Sequence, residues 1–217
     1  MGNIMLKRLL RLFGLESTQE KEPVKKVQKR VKLKGKVVAK ELIGHDAEYM
    51  YHSVSEDPGV CPVCHTALEK IPNLDYRMHK KKGDVFYTYD GFCIVTEKFK
   101  SFCDANDYRN LKFTVLPKSP GYYVFEAEDV FRCDPVRSRF SYGKKQECCG
   151  QYNWITMGTK LCKSKEFYLP TDDFISSRDY WLGDGNRKST EIIIGTKTAG
   201  KMKQAGISGI YFDDVIE

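Results

Sequence analysis

The sequence of 217 residues contains no run of eighteen or more apolar residues, so it predicts no membrane-spanning helix. Its first fifteen residues, MGNIMLKRLLRLFGL, mix lysine and arginine with apolar residues and lack a small-residue cleavage site, which is not typical of a secretory signal. These two absences favour a cytoplasmic protein. In that reducing compartment, closely spaced cysteines bind metal more often than they form disulfides.

The sequence also lacks the motifs of several enzyme classes. It has no G-x-S-x-G, no H-E-x-x-H, no phosphate-binding loop and no G-x-G-x-x-G. The stretch GDGNRKST, residues 183–190, lacks the G-K-[ST] ending and is typical of a hairpin turn. The four histidines lie in ordinary polar stretches without a convincing nucleophile beside them. The residues therefore favour a binding protein over an enzyme.

Negative charge is scarce at the start of the chain. Residues 1–40 contain twelve Lys or Arg and three Glu, a net charge of +9, whereas the remainder carries 24 basic and 26 acidic residues, a net charge of −2. Apolar residues of segment 1–15 alternate with Lys7, Arg8 and Arg11 as in a helix that can lie on an anionic membrane. A short helix that docks on its own domain is the alternative. We predict a basic amphipathic tail and linker over residues 1–36.

From residue 37 onward the pattern predicts a single α+β domain, with halves at 37–145 and 146–217 as one possible division. Short β-rich runs such as LKFTVL, GYYVFEA and EIIIG are bounded by Gly, Pro, Asn or Asp, as strands and their turns are. Helices are few, and the clearest are TEKFKSFCDAND and TKTAGKMKQAG. A mostly antiparallel or mixed sheet with a few short helices is expected, together with an insertion like a zinc knuckle.

The two predicted helices lie in segments that resemble each other after a shift of 99 residues. The shift places Ile94 on Ile193 and Phe113 on Phe212, and each segment reads strand, helix, tight turn, strand. Duplication is one explanation; the common physics of strand–helix–strand segments is the other. In either case, the strands that flank each helix are expected to share a sheet, with the helix packed on one face.

The stretch GVCPVCHTALEK contains a C-x-x-C pair, Cys61 and Cys64. A redox role would need a thioredoxin-like helix after the pair, and haem attachment would need export, so a zinc knuckle is favoured over both. Zinc needs four donors. The second half of the site is predicted in KKQECCGQYNW, at Cys148 and Cys149, although Gln146 stands where a C-x-x-C pair would begin.

Other donors remain open at this point. His65 could add a nitrogen and Cys133 or Cys162 a further sulfur, or the paired cysteines could simply pack as free thiols. Single cysteines among apolar residues are more often small buried hydrophobes than ligands. That interpretation applies to four of the eight cysteines, namely Cys93, Cys103, Cys133 and Cys162. We expect a structural zinc ion at Cys61, Cys64, Cys148 and Cys149.

These motifs carry a resemblance to a known family. CPVCH, followed by CCGQY and a C-terminal EIIIGTKTAGKMKQAGISGIYFDDV, resembles the double-CXXCG motif proteins of bacteria, over residues 57–217. His65 replaces the glycine of the first motif, and the second motif keeps Cys149 and Gly150. Some members of the family are assigned as immunity proteins, so the resemblance implies a protein that binds and neutralises a cognate toxin.

Such a protein would act by surface complementarity, with aromatic anchors and a charged rim. The candidate partner-binding residues are Tyr122, Tyr123, Asp172, Asp173, Tyr180, Trp181, Asp213 and Asp214. Two alternatives are kept. One is a zinc-ribbon module that binds nucleic acid with the basic N-terminal arm, against which the net charge of −2 outside that arm argues. The other is an enzyme of an unrecognised class.

Overall fold

The structure, a computed structural model, describes residues 35–79 and 82–217, which contain three β-sheets, two short α-helices and two single-turn 3-10 helices at Val54–Glu56 and Gly185–Arg187. The predicted α+β class, with mixed and antiparallel sheets, is confirmed. The strands are β1 (Val37–Ile43), β2 (His45–Asp46), β3 (Val85–Tyr87), β4 (Cys93–Thr96), β5 (Leu111–Val115), β6 (Tyr122–Ala127), β7 (Val130–Phe131), β8 (Ser141–Tyr142), β9 (Trp154–Thr156), β10 (Leu161–Cys162), β11 (Ile175–Arg178), β12 (Gly183–Asp184), β13 (Ile192–Gly195) and β14 (Tyr211–Ile216); the helices are α1 (Glu97–Ala105) and α2 (Thr196–Gln204).

The sheets differ in size and in the direction of their strands. The largest has the strand order β10-β14-β1-β13-β11-β7, and the second has the order β2-β3-β4-β6-β5. Their inner pairs are antiparallel, whereas β10–β14, β11–β7 and β2–β3 are parallel pairs at the edges. The small third sheet, β12-β9-β8, contains the antiparallel β8–β9 hairpin, whose loop belongs to the candidate site.

The predicted repeat at 99 residues is present in the structure. β4 and α1 span residues 93–105, and β13 and α2 span residues 192–204, so both bounds differ by 99. In each unit the helix connects two strands that are separated by one antiparallel strand, β6 in the first unit and β1 in the second. The strands that flank each helix therefore share a sheet, as predicted.

The helices pack through apolar residues spaced by three or four positions, as one face of an α-helix requires. Thr96 caps α1, because its hydroxyl accepts a hydrogen bond from the Phe99 amide at 3.5 Å. Phe99 and Phe102 of α1 and Ala199 and Met202 of α2 are buried in one hydrophobic cluster with strand residues of both large sheets. The two units thus share a core instead of building one each.

A carboxylate in each unit binds the turn that follows the helix of the other unit. Asp84 Oδ2 accepts hydrogen bonds from the amide and hydroxyl of Ser208, at 2.8 and 2.9 Å. Asp173 Oδ1 accepts one from the Tyr108 hydroxyl at 2.7 Å. Burial opposes ionisation of Asp173, but hydrogen bonds from Lys201 and Tyr108 outweigh it and lower its pKa to about 2. Reciprocal hydrogen bonds to a carboxylate therefore hold the two units together.

The four cysteines predicted to be buried are buried: Cys93, Cys103, Cys133 and Cys162. Burial raises the pKa of Cys93 and of Cys103 to about 12, so these thiols stay protonated at neutral pH. They act as small apolar side chains, in agreement with the sequence analysis.

The predicted N-terminal tail lies almost entirely outside the part of the chain that the structure describes. The basic amphipathic segment at residues 1–15, and all but the last two residues of the predicted tail, lie outside the described residues. Within residues 35–79 and 82–217, no helix combines the length and the apolar character needed to cross a bilayer. The predicted domain boundary at residue 37 and the division at residue 146 stay predictions.

Candidate metal centre

The first knuckle, residues 60–67, is a tight turn closed by backbone hydrogen bonds. The Cys61 amide donates to the Thr66 carbonyl at 2.9 Å, and the His65 amide donates to the Cys61 carbonyl at 2.9 Å. His65 has a left-handed φ of 57°, a conformation that glycine adopts most easily. The turn brings the sulfur atoms of both cysteines of the C-x-x-C pair into one cluster.

The second knuckle, residues 145–152, repeats this backbone in the loop of the β8–β9 hairpin. The Gln146 amide donates to the Gln151 carbonyl at 2.7 Å, and the Gly150 amide donates to the Gln146 carbonyl at 2.8 Å. Gly150 has a left-handed φ of 71°. An isolated β-bridge flanks each knuckle, at residues 60 and 67 and at residues 145 and 152. A shift of 85 residues therefore maps the first turn onto the second.

Although the two backbones correspond, only one of the two cysteines of the second knuckle stands at a position equivalent to a cysteine of the first. Cys149 matches the second cysteine of the first knuckle, but Gln146 matches the first cysteine, Cys61. Cys148 instead matches Val63, a side chain that is 72% exposed on the outside of the first turn. Cys148 is itself exposed. The second knuckle thus supplies its two sulfur atoms from adjacent positions, with one of them on the outer side of the turn.

The four sulfur atoms nevertheless converge. Cys61 Sγ lies 3.7 Å from Cys148 Sγ, and Cys64 Sγ lies 3.6 Å from Cys149 Sγ. All four ligating atoms lie within 4.8 Å of one another. Tetrahedral zinc with Zn–S bonds of about 2.3 Å places its sulfur atoms roughly 3.8 Å apart. The predicted residues therefore form a group that could hold a metal ion.

The additional donors considered from the sequence do not belong to this group. Within the described residues, the cluster of four ligating atoms is made of cysteines alone and excludes His65, Cys133 and Cys162. His65 takes the left-handed position of the first knuckle and is exposed. Cys133 belongs to a separate hydrophobic cluster, and Cys162 is buried in β10.

Hydrogen bonds favour the thiolate form of part of the cluster. The Thr66 hydroxyl, the largest influence, and the Thr66 amide lower the pKa of Cys64 to about 6. Thr66 Oγ1 is buried and has no partner of ordinary hydrogen-bond geometry among the described residues. Conversely, hydrogen bonding to Cys64 raises the pKa of Cys148 to about 12. A divalent cation would allow all four thiolates to coexist.

Lys188 supplies a buried positive charge beside the cluster. Its side chain is 1% exposed, and its ammonium donates a hydrogen bond to the Tyr152 carbonyl at 2.9 Å. Burial lowers the pKa of Lys188, while attraction to Cys149 and Cys64 opposes that shift. Four thiolates and one divalent cation carry a net charge of −2, which a nearby ammonium partly offsets. No local sequence pattern marks Lys188 as part of the site, because only the tertiary fold brings it to the knuckles.

The aromatic residues predicted to bind a partner are partly used inside the fold. Tyr122 packs beside a buried cluster, and the Tyr123 hydroxyl donates a hydrogen bond to the Glu97 carboxylate. Tyr180 packs against a third hydrophobic cluster, and Trp181 lines a cavity of about 340 Å³. All four aromatic candidates are half-buried. Their role in partner binding stays a prediction.

The acidic candidates divide into two kinds. Asp172 and Asp213 are exposed. Asp173 is bound by the Tyr108 hydroxyl and by Lys201, and Asp214 forms ion pairs with Lys40 and Lys160, so both serve contacts within the chain. The ion pairs of Asp214 extend 2.5 and 3.3 Å from its two oxygens. Asp172 and Asp213 are therefore the acidic candidates most available to a partner.

A scan of this sequence against protein-family models found no match, and a search of curated proteins found none either. The resemblance described above accordingly rests on the motifs in the sequence. What the structure adds is a geometric relation between those motifs, since their backbones correspond over the whole of both knuckles.

Proposed function

We propose that Cys61, Cys64, Cys148 and Cys149 bind one structural zinc ion. Thiolate sulfur is a soft ligand that selects zinc over magnesium or calcium, and the spacing of the four atoms suits a tetrahedron. Four protein donors fill the coordination sphere, whereas catalytic zinc keeps a position open for water. The ion would join two turns that lie 85 residues apart in sequence.

Elemental analysis tests the zinc centre. Full-length protein purified without chelators should contain about one zinc ion per chain, because paired thiolates hold this metal tightly at neutral pH. Removing the ion with a chelator should lower the melting temperature, and adding zinc back should restore it. Metal-free protein with an unchanged melting temperature would overturn the proposal.

We further propose that the protein is an immunity protein that neutralises a cognate bacterial toxin by binding it in a stoichiometric complex. The observation that carries this proposal is the pair of equivalent knuckles within one chain, since the family resemblance depends on that pair. The exposed carboxylates of Asp172 and Asp213 supply negative charge that suits the rim of an interface with a basic toxin.

Co-expression with a toxin encoded by the neighbouring gene is the test. Cells that make both proteins should survive, and the two should co-purify in equimolar amounts. Asp172→Lys and Asp213→Lys should slow association more than they speed dissociation, whereas Glu128→Lys, another exposed acid, is the matched control. Cell death despite abundant protein, or rescue without a complex, would contradict the proposal.

A second candidate is a zinc-ribbon module that binds nucleic acid. It is favoured by the hairpin of the second knuckle, where Lys144 and Lys145 are exposed beside Tyr142, an aromatic residue that is 40% exposed. This function predicts affinity for DNA or RNA that falls steeply with salt, because phosphate contacts release counterions. A gel-shift assay at two salt concentrations separates it from the immunity function.

A further inference from the structure

Cys148 differs from its three partners in how the backbone holds it. The Thr66 and Gln151 amides donate hydrogen bonds to Cys64 and Cys149, which occupy equivalent positions in the two knuckles. Cys148 lies one position earlier, on the outer side of its turn, and is exposed. The most accessible sulfur atom of the centre is therefore the one at the irregular position.

A second thiol, that of Cys61, lies close enough to this exposed sulfur to form a disulfide bond with it. Cys61 Sγ is 3.7 Å from Cys148 Sγ, and Cys61 is only 3% exposed. A disulfide bond is about 2 Å long, so the two atoms must approach each other by less than ~2 Å. The two residues belong to different knuckles, and a bond between them would link the same two turns that the metal joins.

We propose that Cys148 is an oxidation site for hydroperoxides, at which oxidation releases the metal. Cys148 is a thiolate when it binds zinc, and this thiolate attacks the terminal oxygen of a hydroperoxide, so that the O–O bond breaks, the sulfur becomes a sulfenic acid, and an alkoxide or hydroxide leaves. The Cys61 thiolate then attacks the Cys148 sulfur and expels hydroxide, which forms the disulfide. Two thiolates are oxidised by two electrons, and one peroxide is reduced.

The inference rests on the proposed zinc centre. After oxidation only Cys64 and Cys149 remain as thiolates, and two donors do not complete a tetrahedral site. The disulfide would keep the knuckles connected after the ion has left. The buried cysteines of the core, such as Cys93 and Cys103, should not compete for the oxidant because the fold shields them from solvent.

The test exposes zinc-loaded full-length protein to hydrogen peroxide and follows zinc release with a chromophoric chelator. Free thiols are then alkylated under denaturing conditions, and the disulfides are mapped by mass spectrometry. The proposal expects a peptide that joins Cys61 to Cys148, formed in step with the release of zinc. A first disulfide between Cys64 and Cys149, or zinc release without a disulfide at Cys148, would overturn it.

The double variant Gln146→Cys with Cys148→Val is the matched control, because it keeps four thiols and moves the irregular one to the position equivalent to Cys61. Its zinc should be released roughly tenfold more slowly by peroxide. Equal rates would contradict the role of the outer position. If the unmodified chain proves to contain no zinc, the metal centre fails, yet the disulfide map still tests which thiol reacts first.

Discussion

Two regions of the molecule, residues 45–127 and 130–217, share two features in the same order. Each has a knuckle and, further along the chain, a helix that connects two strands of one sheet. They differ in the origin of the strand that lies between the two connected strands, and in the positions of the cysteines in the knuckle. The first region supplies its own strand β6 between β4 and β5, whereas the second takes β1 from before the first region. The first knuckle has the two cysteines of its C-x-x-C pair, whereas the second has Gln146 at the first of these positions and an additional cysteine, Cys148, next to Cys149.

The two knuckles share their backbone hydrogen bonds but not the sequence positions of their cysteines. The hydrogen bonds of both knuckles correspond, although Gln146 stands in place of a cysteine. The sulfur of Cys148 still lies 3.7 Å from the sulfur of Cys61 in the other knuckle. A metal centre needs converging donor atoms and tolerates a change in where the chain supplies them.

The largest effect should come from substituting Cys61, whereas the same substitution at the equivalent Gln146 of the second knuckle should have almost none. Cys61→Ser removes one of four donors, so it should abolish stoichiometric zinc binding and lower the free energy of unfolding by at least about 3 kcal/mol. Gln146→Ser, the matched change in the second knuckle, should leave both quantities nearly unchanged. Elemental analysis and urea unfolding check this. Zinc retained at one ion per chain in Cys61→Ser would show that Cys61 is no ligand.

A smaller effect is expected at the carboxylate that joins the units. Asp173→Asn keeps the size of the side chain but weakens charged hydrogen bonds to Tyr108 and Lys201, so the free energy of unfolding should fall by about 2 kcal/mol. Asp172→Asn is the matched control, and as an exposed change it should cost less than about 0.5 kcal/mol. Equal losses in the two variants, measured by urea unfolding, would refute the locking role.

The Asp173 carboxylate should also make the stability of the protein depend on pH. Its pKa is lowered in the folded protein, from 3.8 to about 2, so its contribution is complete above about pH 4 and is lost as the pH falls toward 2. Stability measured between those limits should therefore decline more steeply in the unmodified protein than in Asp173→Asn. Parallel curves would mean that Asp173 titrates alike in the folded and unfolded states.

Lys188 should affect the affinity for zinc more than the fold. Lys188→Met removes a buried charge next to the thiolates and keeps most of the side-chain volume, so zinc should bind roughly tenfold more weakly. Lys144→Met, at an exposed position beside the second knuckle, is the control and should change the affinity little. Competition with a chromophoric chelator gives both affinities. Similar losses would point to net charge instead of the buried contact.

Local patterns predicted much of this architecture. The helices TEKFKSFCDAND and TKTAGKMKQAG appear as α1 and α2, because caps and apolar spacing are local signals. The four cysteines of the candidate metal centre were also predictable, since closely paired cysteines are informative without a fold. The roles of Asp173 and Lys188 were not, because their partners Tyr108 and Tyr152 lie at least 36 residues away. Contacts of that kind exist only after the sheets have assembled.

The smallest effects should come from the left-handed residue of each knuckle. His65 and Gly150 have φ values of 57° and 71°, and a residue with a Cβ atom is strained there. His65→Gly should therefore stabilise the protein by up to about 0.5 kcal/mol, because relief of strain is partly offset by greater freedom in the unfolded chain. Gly150→Ala should destabilise it by about 1 kcal/mol, since its added Cβ meets no atom within 4 Å and strain alone decides. Urea unfolding of the zinc-loaded variants measures both, and changes of the same sign would contradict the equivalence of the two turns.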